Sequence, residues 1–257
     1  MAVRDAGAVP AITAVVQGVP AAGMTPDELQ RFLAGSHVAK LSARDLGLAI
    51  ARGVDGATTV AGALLISHIA GIRVFATGGI GGVHYGAFDE SADLIELART
   101  PVIVVCAGAK SILNLPATVE RLETLGITVI GFRTVEFPGF HFVSTGIPVP
   151  ASMATVREIV DVYLAQRALG HPSALLVVQP PPKAAALDRD EVETAIRAAL
   201  AAAEREDVTG AAVTPWLLNA LAKATDGRSI ETNLALLEAN ARLAAELAVE
   251  LANRDDS

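Results

Sequence analysis

Five short apolar runs punctuate this chain: Ala11–Val16, Ile72–Ala76, Val102–Cys106, Thr128–Gly131 and Ala174–Val178. Each reads as a strand, and between them lie longer stretches of helical character: Thr25–Ala34, Ala43–Arg52, Thr58–Ala70, Ser91–Ala98, Ala117–Leu125 and Ala154–Ala168. Apolar strands separated by helices specify an α/β fold with a mainly parallel sheet and helices on both faces. Thr25 is placed to cap its helix, with Asp27 and Glu28 in the first turn. From Asp188 onward the pattern is all helix: Asp188–Glu206, Pro215–Thr225 and Ser229–Asn253. Their apolar faces predict a C-terminal helical layer, packed on the sheet or on a neighbouring subunit. The run Pro180-Pro-Pro182 marks the turn into that layer. The expected organisation is one domain over residues 1–257, with an α/β core at 1–182 and C-terminal helices at 183–257.

Composition narrows the class. Hydrophobic residues make up 52% but aromatics only 4%, so the core is built from Ala, Val, Leu and Ile. Mean hydropathy is +0.46, yet the longest apolar stretch, Thr58–Ile72, contains Ser67 and His68 and falls short of the roughly 18 residues a membrane span needs. A net charge of −8 argues against a nucleic-acid partner. The single cysteine, Cys106, lies inside a strand run, so there is no disulfide frame, and a reducing cytoplasm is the expected compartment. Met1-Ala-Val-Arg-Asp5 has no apolar signal core.

Candidate chemistry gathers after the strands. Val102–Cys106 runs into the small-residue turn Ala107-Gly-Ala109 and then Lys110. Open α/β sheets bind ligands beyond the carboxyl ends of their strands. Apolar walls, and a helix start if one lies there, would disfavour the ammonium and leave a neutral amine able to attack a carbonyl. The bland alternative is a lysine that snorkels to solvent. The glycine run Gly78-Gly-Ile-Gly-Gly82 follows a strand but is neither a dinucleotide fingerprint nor a P-loop, because His84 and the residues around it break both patterns. Its glycines permit positive φ and close backbone approach, or simply a tight turn. Thr58 and Thr59 precede a predicted helix whose first amides favour a phosphate, with Lys40 as the added cation. Asp89, Ser91 and Asp93 offer hard oxygens suited to a loosely held divalent cation, or an ordinary acidic helix start.

Taken in order, Phe75-Ala-Thr-Gly-Gly-Ile-Gly-Gly-Val-His84, Asp89-Glu-Ser-Ala-Asp-Leu94 and Val102-Ile-Val-Val-Cys-Ala-Gly-Ala-Lys-Ser-Ile-Leu113 resemble the pseudouridine-5′-phosphate glycosidases, or indigoidine-synthase-A-like family. Gly7-Ala-Val-Pro-Ala11, Lys40-Leu-Ser-Ala-Arg-Asp-Leu46, Gly56-Ala-Thr-Thr-Val60, the segment Pro116–Gly126 and Thr232-Asn-Leu234 extend the resemblance nearly end to end. It implies Lys110 as nucleophile, Lys40, Thr59 and Val60 at the phosphoribosyl end, Ser91, Ala92, Asp93 and Asn233 on the substrate, and Mn²⁺ or another divalent cation on Asp89. It also implies a homotrimer acting on a sugar phosphate or nucleotide.

The resemblance is incomplete. The family carries a preceding N-terminal segment with a strand ending in Ala-Leu-Glu-Ser-Thr, whose glutamate donates the proton; the chain as given starts just before Gly7-Ala-Val-Pro10. The stretch before Asp89 is shortened. Tyr85, Val143 and Gln179 stand where the family has arginine, arginine and asparagine. Three readings follow: reversible cleavage of pseudouridine 5′-phosphate, a C-ribosyl synthase joining ribose 5-phosphate to another carbon nucleophile, and a non-catalytic relative.

Overall fold

The computed structural model of the protein describes residues 2–35, 37–85 and 89–255. Among the described residues the strands are β1 (Thr13–Val16), β2 (Val19–Ala22), β3 (Ala39–Leu41), β4 (Gly56–Thr58), β5 (Val74–Ala76), β6 (Ile103–Cys106), β7 (Thr128–Phe132), β8 (Ala151–Met153) and β9 (Leu175–Val178). Its helices are α1 (Ala2–Asp5), α2 (Pro26–Ala34), α3 (Leu46–Arg52), α4 (Val60–Ile69), α5 (Ala92–Arg99), α6 (Leu115–Thr124), α7 (Val156–Ala168), α8 (Arg189–Arg205), α9 (Val213–Ala224) and α10 (Arg228–Asp255).

The large sheet runs β5-β6-β9-β7-β8, parallel throughout. Alternation along its central strands divides the core in two. Val104, Cys106, Leu176 and Val178 face a cluster with Leu64 of α4, Leu97 of α5, Leu122 of α6, Ile196 of α8 and Leu221 of α9. Ile103, Val105, Leu175 and Val177 face the other way, onto Ile159 and Tyr163 of α7 and Leu243 and Leu247 of α10. Both faces are therefore covered, as near-continuous apolar strands require. The C-terminal helices pack on the sheet itself, α10 beneath β5 and β6 and α8 with α9 on the opposite side.

One feature departs from the expected single sheet. A second, four-stranded sheet forms in the order β2-β1-β4-β3, mixed in direction, over a small core of Val15, Leu41, Leu46, Ala49 and Ile66. Four strands, β2, β3, β4 and β8, are absent from the sequence reading. Each is only three or four residues long, too short to show an alternation against its polar and glycine-bearing surroundings. The expected helix 43–52 divides into a 3₁₀ turn at Ala43–Asp45 and α3. Thr58 belongs to β4 rather than to a helix, and Thr59 caps α4. The cap expected at Thr25 is present as a full reciprocal box: the Thr25 amide donates to Glu28 Oε2 at 2.8 Å and the Glu28 amide to Thr25 Oγ1 at 3.2 Å.

β5 pairs on one side only, with β6. Its outer edge faces a groove of about 550 Å³ whose lining includes Ala8, Ala11, Ala57, Ala241 and Ala244.

Candidate active site

The carboxyl ends of β5 and β6 lead into two segments that run side by side. The glycine run after β5 pairs with the turn after β6: Ala107 N donates to Gly78 O at 2.9 Å, Ile80 N to Gly108 O at 3.0 Å, and Lys110 N to Ile80 O at 3.1 Å. Lys110 therefore stands on a backbone ladder that continues the sheet beyond its formal strands. No helix begins at Lys110, contrary to the helix start considered above. α6 starts at Leu115 under an Asn114 cap. The amine is instead governed by burial, which pushes its pKa below the ordinary lysine value; Asp93 pulls the other way, and Lys40 adds to the lowering.

Lys110 lines a cavity of about 820 Å³, within the range of small-molecule sites. One wall comes from the small sheet. Parallel pairing sets Lys40 opposite Ala57 and Leu41 opposite Thr58, which delivers Lys40, Thr59 and Val60 to the same rim. Thr59 does not offer its own amide, which donates to Leu41 O at 2.8 Å. Its hydroxyl accepts from Gly62 N at 3.4 Å.

Ala92, Ser91 and Asp93 form the floor beside the glycine run. Ser91 caps α5 and accepts from Asp93 N at 3.2 Å. The Asp93 carboxylate is buried and already bound on both oxygens: Oδ1 accepts from Ala61 N at 2.9 Å and Oδ2 from Gly81 N at 2.8 Å. One side chain thus joins the start of α4 to the glycine run. This explains the glycines better than their conformational freedom does, since none of Gly78, Gly79, Gly81 and Gly82 has positive φ. A Cβ at Gly81 would overlap Ser91 Oγ and stand 2.8 Å from Asp93 Oδ2.

The third wall is α9 and α10, through Thr214, Leu218, Ser229, Ile230, Asn233 and Leu237. Asn233 is the one predicted contact residue here, delivered across more than a hundred residues of sequence. Behind it, buried Asn240 donates to Thr77 O at 2.8 Å and accepts from Gln179 Nε2 at 2.9 Å, tying α10 to the ends of β5 and β9.

Asp89 lies apart from Asp93. Its carboxylate is exposed, its Oδ2 is 4.0 Å from His84 Nδ1, and its carbonyl accepts the His84 amide at 2.9 Å. The shortened stretch before it falls on residues 86–88, outside the described residues. Among the described residues no group of three His, Cys, Asp or Glu side chains converges as a metal cluster.

Sequence reasoning missed His141. Its ring lines the cavity yet is almost wholly buried, and Ser111 Oγ lies 2.8 Å from Nδ1. Burial pushes its pKa down to about 4, against a smaller upward pull from a hydrogen bond to the Ser229 backbone. Its one sequence signal is its place directly after Phe137-Pro-Gly-Phe140. Cys106, by contrast, is inert: burial raises its thiol to about 12.

Residues 1–250 match the family described as Indigoidine synthase A like protein. The chain belongs to that family. It is 58% identical over 251 residues to a pseudouridine-5′-phosphate glycosidase of Gemmatimonas aurantiaca, covering 97% of this chain and 82% of the relative. A pseudouridine-5′-phosphate glycosidase of Chloroflexus aurantiacus is 53% identical over 256 residues, covering 97% of this chain and 84% of its own length. Among solved structures, the prealnumycin C-glycosynthase AlnA in complex with ribulose 5-phosphate superposes with a TM-score of 0.94 at 39% identity, over 100% of this chain and 86% of that one. An indigoidine synthase A-like protein from Thermotoga maritima gives 0.91 at 37% identity, over 97% of this chain and 83% of that one.

The neutral, buried imidazole makes stability depend on acid. The unfolded chain takes up a proton at His141 near its ordinary pKa of 6.5, whereas the folded chain resists until about 4. Stability is therefore unaffected by this group above pH 6.5 and falls as the pH drops through the interval between the two values. Urea unfolding at pH 7 and pH 5 should show His141 contributing a loss of about 2 kcal/mol. The variant His141→Gln should lack that part of the slope. An equally steep slope in the variant would show that other groups carry it.

Proposed function

We propose that this chain catalyses the reversible cleavage of the C–C glycosidic bond of pseudouridine 5′-phosphate, giving uracil and ribose 5-phosphate, through an imine-type adduct on Lys110. The observation that carries this reading is a desolvated lysine at the end of β6, in a cavity whose opposite rim presents a second cation, Lys40. The relatives that share almost the whole chain bear the name of this activity.

The chemistry asks for a neutral amine. Opening the ribose ring at the C1′–O4′ bond frees C1′ to take the Lys110 nitrogen. The nitrogen lone pair then forms the C=N bond as the C1′–C5 bond breaks, and C5 of uracil keeps the electron pair and gains a proton. Water adds to the imine, returns the amine and releases ribose 5-phosphate. Lys40, the Thr59 hydroxyl and the α4 start at Val60 hold the phosphate, while Ser91, Ala92, Asp93 and Asn233 border the sugar and base. Protons must reach O4′ and C5. The cavity-lining carboxylates among the described residues all have partners: Asp45 with Ser42 N at 2.9 Å, Glu90 with Arg121 at 2.9 Å, and Asp93 with two amides.

A second reading, a C-ribosyl synthase running in the bond-forming direction, is favoured by the likeness to AlnA, a C-glycosynthase. Both readings share the Lys110 adduct. An unpaired cysteine sealed inside the sheet fits a cytoplasmic enzyme, and among the described residues no helix is long and apolar enough to cross a membrane.

Incubation with ribose 5-phosphate and borohydride should reduce a sugar phosphate onto Lys110, visible by peptide mass spectrometry. Lys110→Ala should abolish the label, and Lys40→Ala should weaken it by raising the concentration of sugar phosphate required. Equal labelling of surface lysines, or none at Lys110, would leave the motif as scaffold and favour the non-catalytic reading.

Asp89 is proposed as the ligand of Mn²⁺ or another hard divalent cation. An exposed carboxylate beside an imidazole, with the rest of the sphere left to water and substrate oxygens, suits such an ion, whose charge would neutralise the substrate's phosphate. Zinc would need more soft or imidazole ligands than this locality has. Elemental analysis after dialysis against manganese should find metal bound to the wild type and lost from Asp89→Ala; stoichiometric zinc, or unchanged metal content, would refute the assignment.

A homotrimer is proposed as the working form. Leu33, Leu48 and Ile69 on α2, α3 and α4 are exposed to 73%, 53% and 75%, bare apolar side chains that assembly would bury. Light scattering should give three chain masses, and a stable monodisperse monomer would count against it.

A further inference from the structure

His141 belongs to no step of the chemistry above, yet both its main chain and its ring are held in the cavity wall. Its main chain is fixed at both ends: its amide donates to Gly139 O at 2.8 Å and its carbonyl accepts from Leu187 N at 2.8 Å. Phe140, held at φ +64° with its amide on Ala107 O at 3.1 Å, packs edge-on against the imidazole at 4.7 Å between ring centres. The ring has little freedom to turn. Its Nδ1 lies 2.8 Å from the Ser111 hydroxyl.

A neutral imidazole has one donor and one acceptor nitrogen, and a serine hydroxyl can both donate and accept, so the Ser111–His141 pair closes one hydrogen bond in either tautomer. Ser111 is itself buried, at 6% exposure, so water does not compete for the link. Ser111 directly follows Lys110, whose amide and carbonyl are held by Ile80 O at 3.1 Å and Leu113 N at 3.0 Å.

We infer that His141 is the positioning residue for Lys110: anchored by its own main chain and by Phe140, it holds Ser111 and with it the lysine-bearing turn, and so sets where the amine stands relative to a substrate in the cavity. This rests on Lys110 being the nucleophile. A shift of the turn would leave phosphate binding at Lys40 and Thr59 intact, because those residues stand on the small sheet, while moving the amine off its line of attack. The signature is a lower maximal rate at unchanged saturation.

The rate of borohydride-trapped adduct formation on Lys110, followed against ribose 5-phosphate concentration, tests this with His141→Phe, His141→Gln, Ser111→Ala and the double variant Ser111→Ala with His141→Phe. His141→Phe and Ser111→Ala should each lower the maximal trapping rate about tenfold, the scale of one buried hydrogen bond, with the half-saturating concentration within about twofold of wild type. The double variant should be no slower than the slower single one, because both remove the same link. His141→Gln, whose amide offers one donor and one acceptor, should recover most of the rate. Multiplying effects in the double variant, a changed half-saturation at full maximal rate, or no recovery in His141→Gln would overturn the role of His141 while leaving the Lys110 adduct standing. Failure of the wild type to form an adduct would instead remove the nucleophile, and this inference with it.

Discussion

A single carboxylate holds this architecture in register. Asp93 accepts Ala61 N on one oxygen and Gly81 N on the other, out of water. Ala61 opens α4, which grows from the small sheet, and Gly81 lies in the run that leaves the large one. The small sheet carries Lys40, Thr59 and Val60; the large one carries Lys110. Charge-assisted bonds to backbone amides are among the stronger polar contacts available to a buried side chain, and this pair places the two halves of the cavity relative to one another. The glycine run has no room for side chains because it must lie against Ser91 and Asp93.

The same carboxylate sets the electrostatic balance of the amine. Burial alone favours neutral Lys110, and Lys40 across the cavity adds to that, while Asp93 favours the ammonium. The outcome is a lysine shifted toward the neutral form without being stranded beyond the reach of protons, as a nucleophile that must later be released from an imine requires. Both Asp93 oxygens are already committed to backbone amides. Structure and electrostatics thus compete for one group, and structure holds it.

Much of the large sheet was legible in the chain itself. β6, β7 and β9 are central or nearly so, buried on both faces, and carry uninterrupted apolar runs that admit few other readings. The small sheet was not: β3 and β4 are three residues each, and their pairing arises only when Leu41 finds Ile66 and Val15 in a common core. Lys110 was legible because a strand, a small-residue turn and a lysine follow one another in sequence. The cause of its shifted pKa was not, since the expected helix start lies instead at Leu115 and burial by distant segments does the work.

Local order therefore determined the strand–helix alternation, the cap at Thr25, and the residue types able to act as nucleophile, phosphate cation and hard-metal ligand. These depend on neighbours within a few positions, where backbone geometry and periodicity are enough. Tertiary structure alone decided which of those residues meet. Lys40 reaches Lys110 through two sheets, Asn233 through a helix packed under β5 and β6, and His141 through Ser111, thirty residues behind it in the chain. It also changed the meaning of Asp93, from a free oxygen ligand to a clamp. Burial and long-range pairing are properties of the packed whole, and no window of sequence contains them.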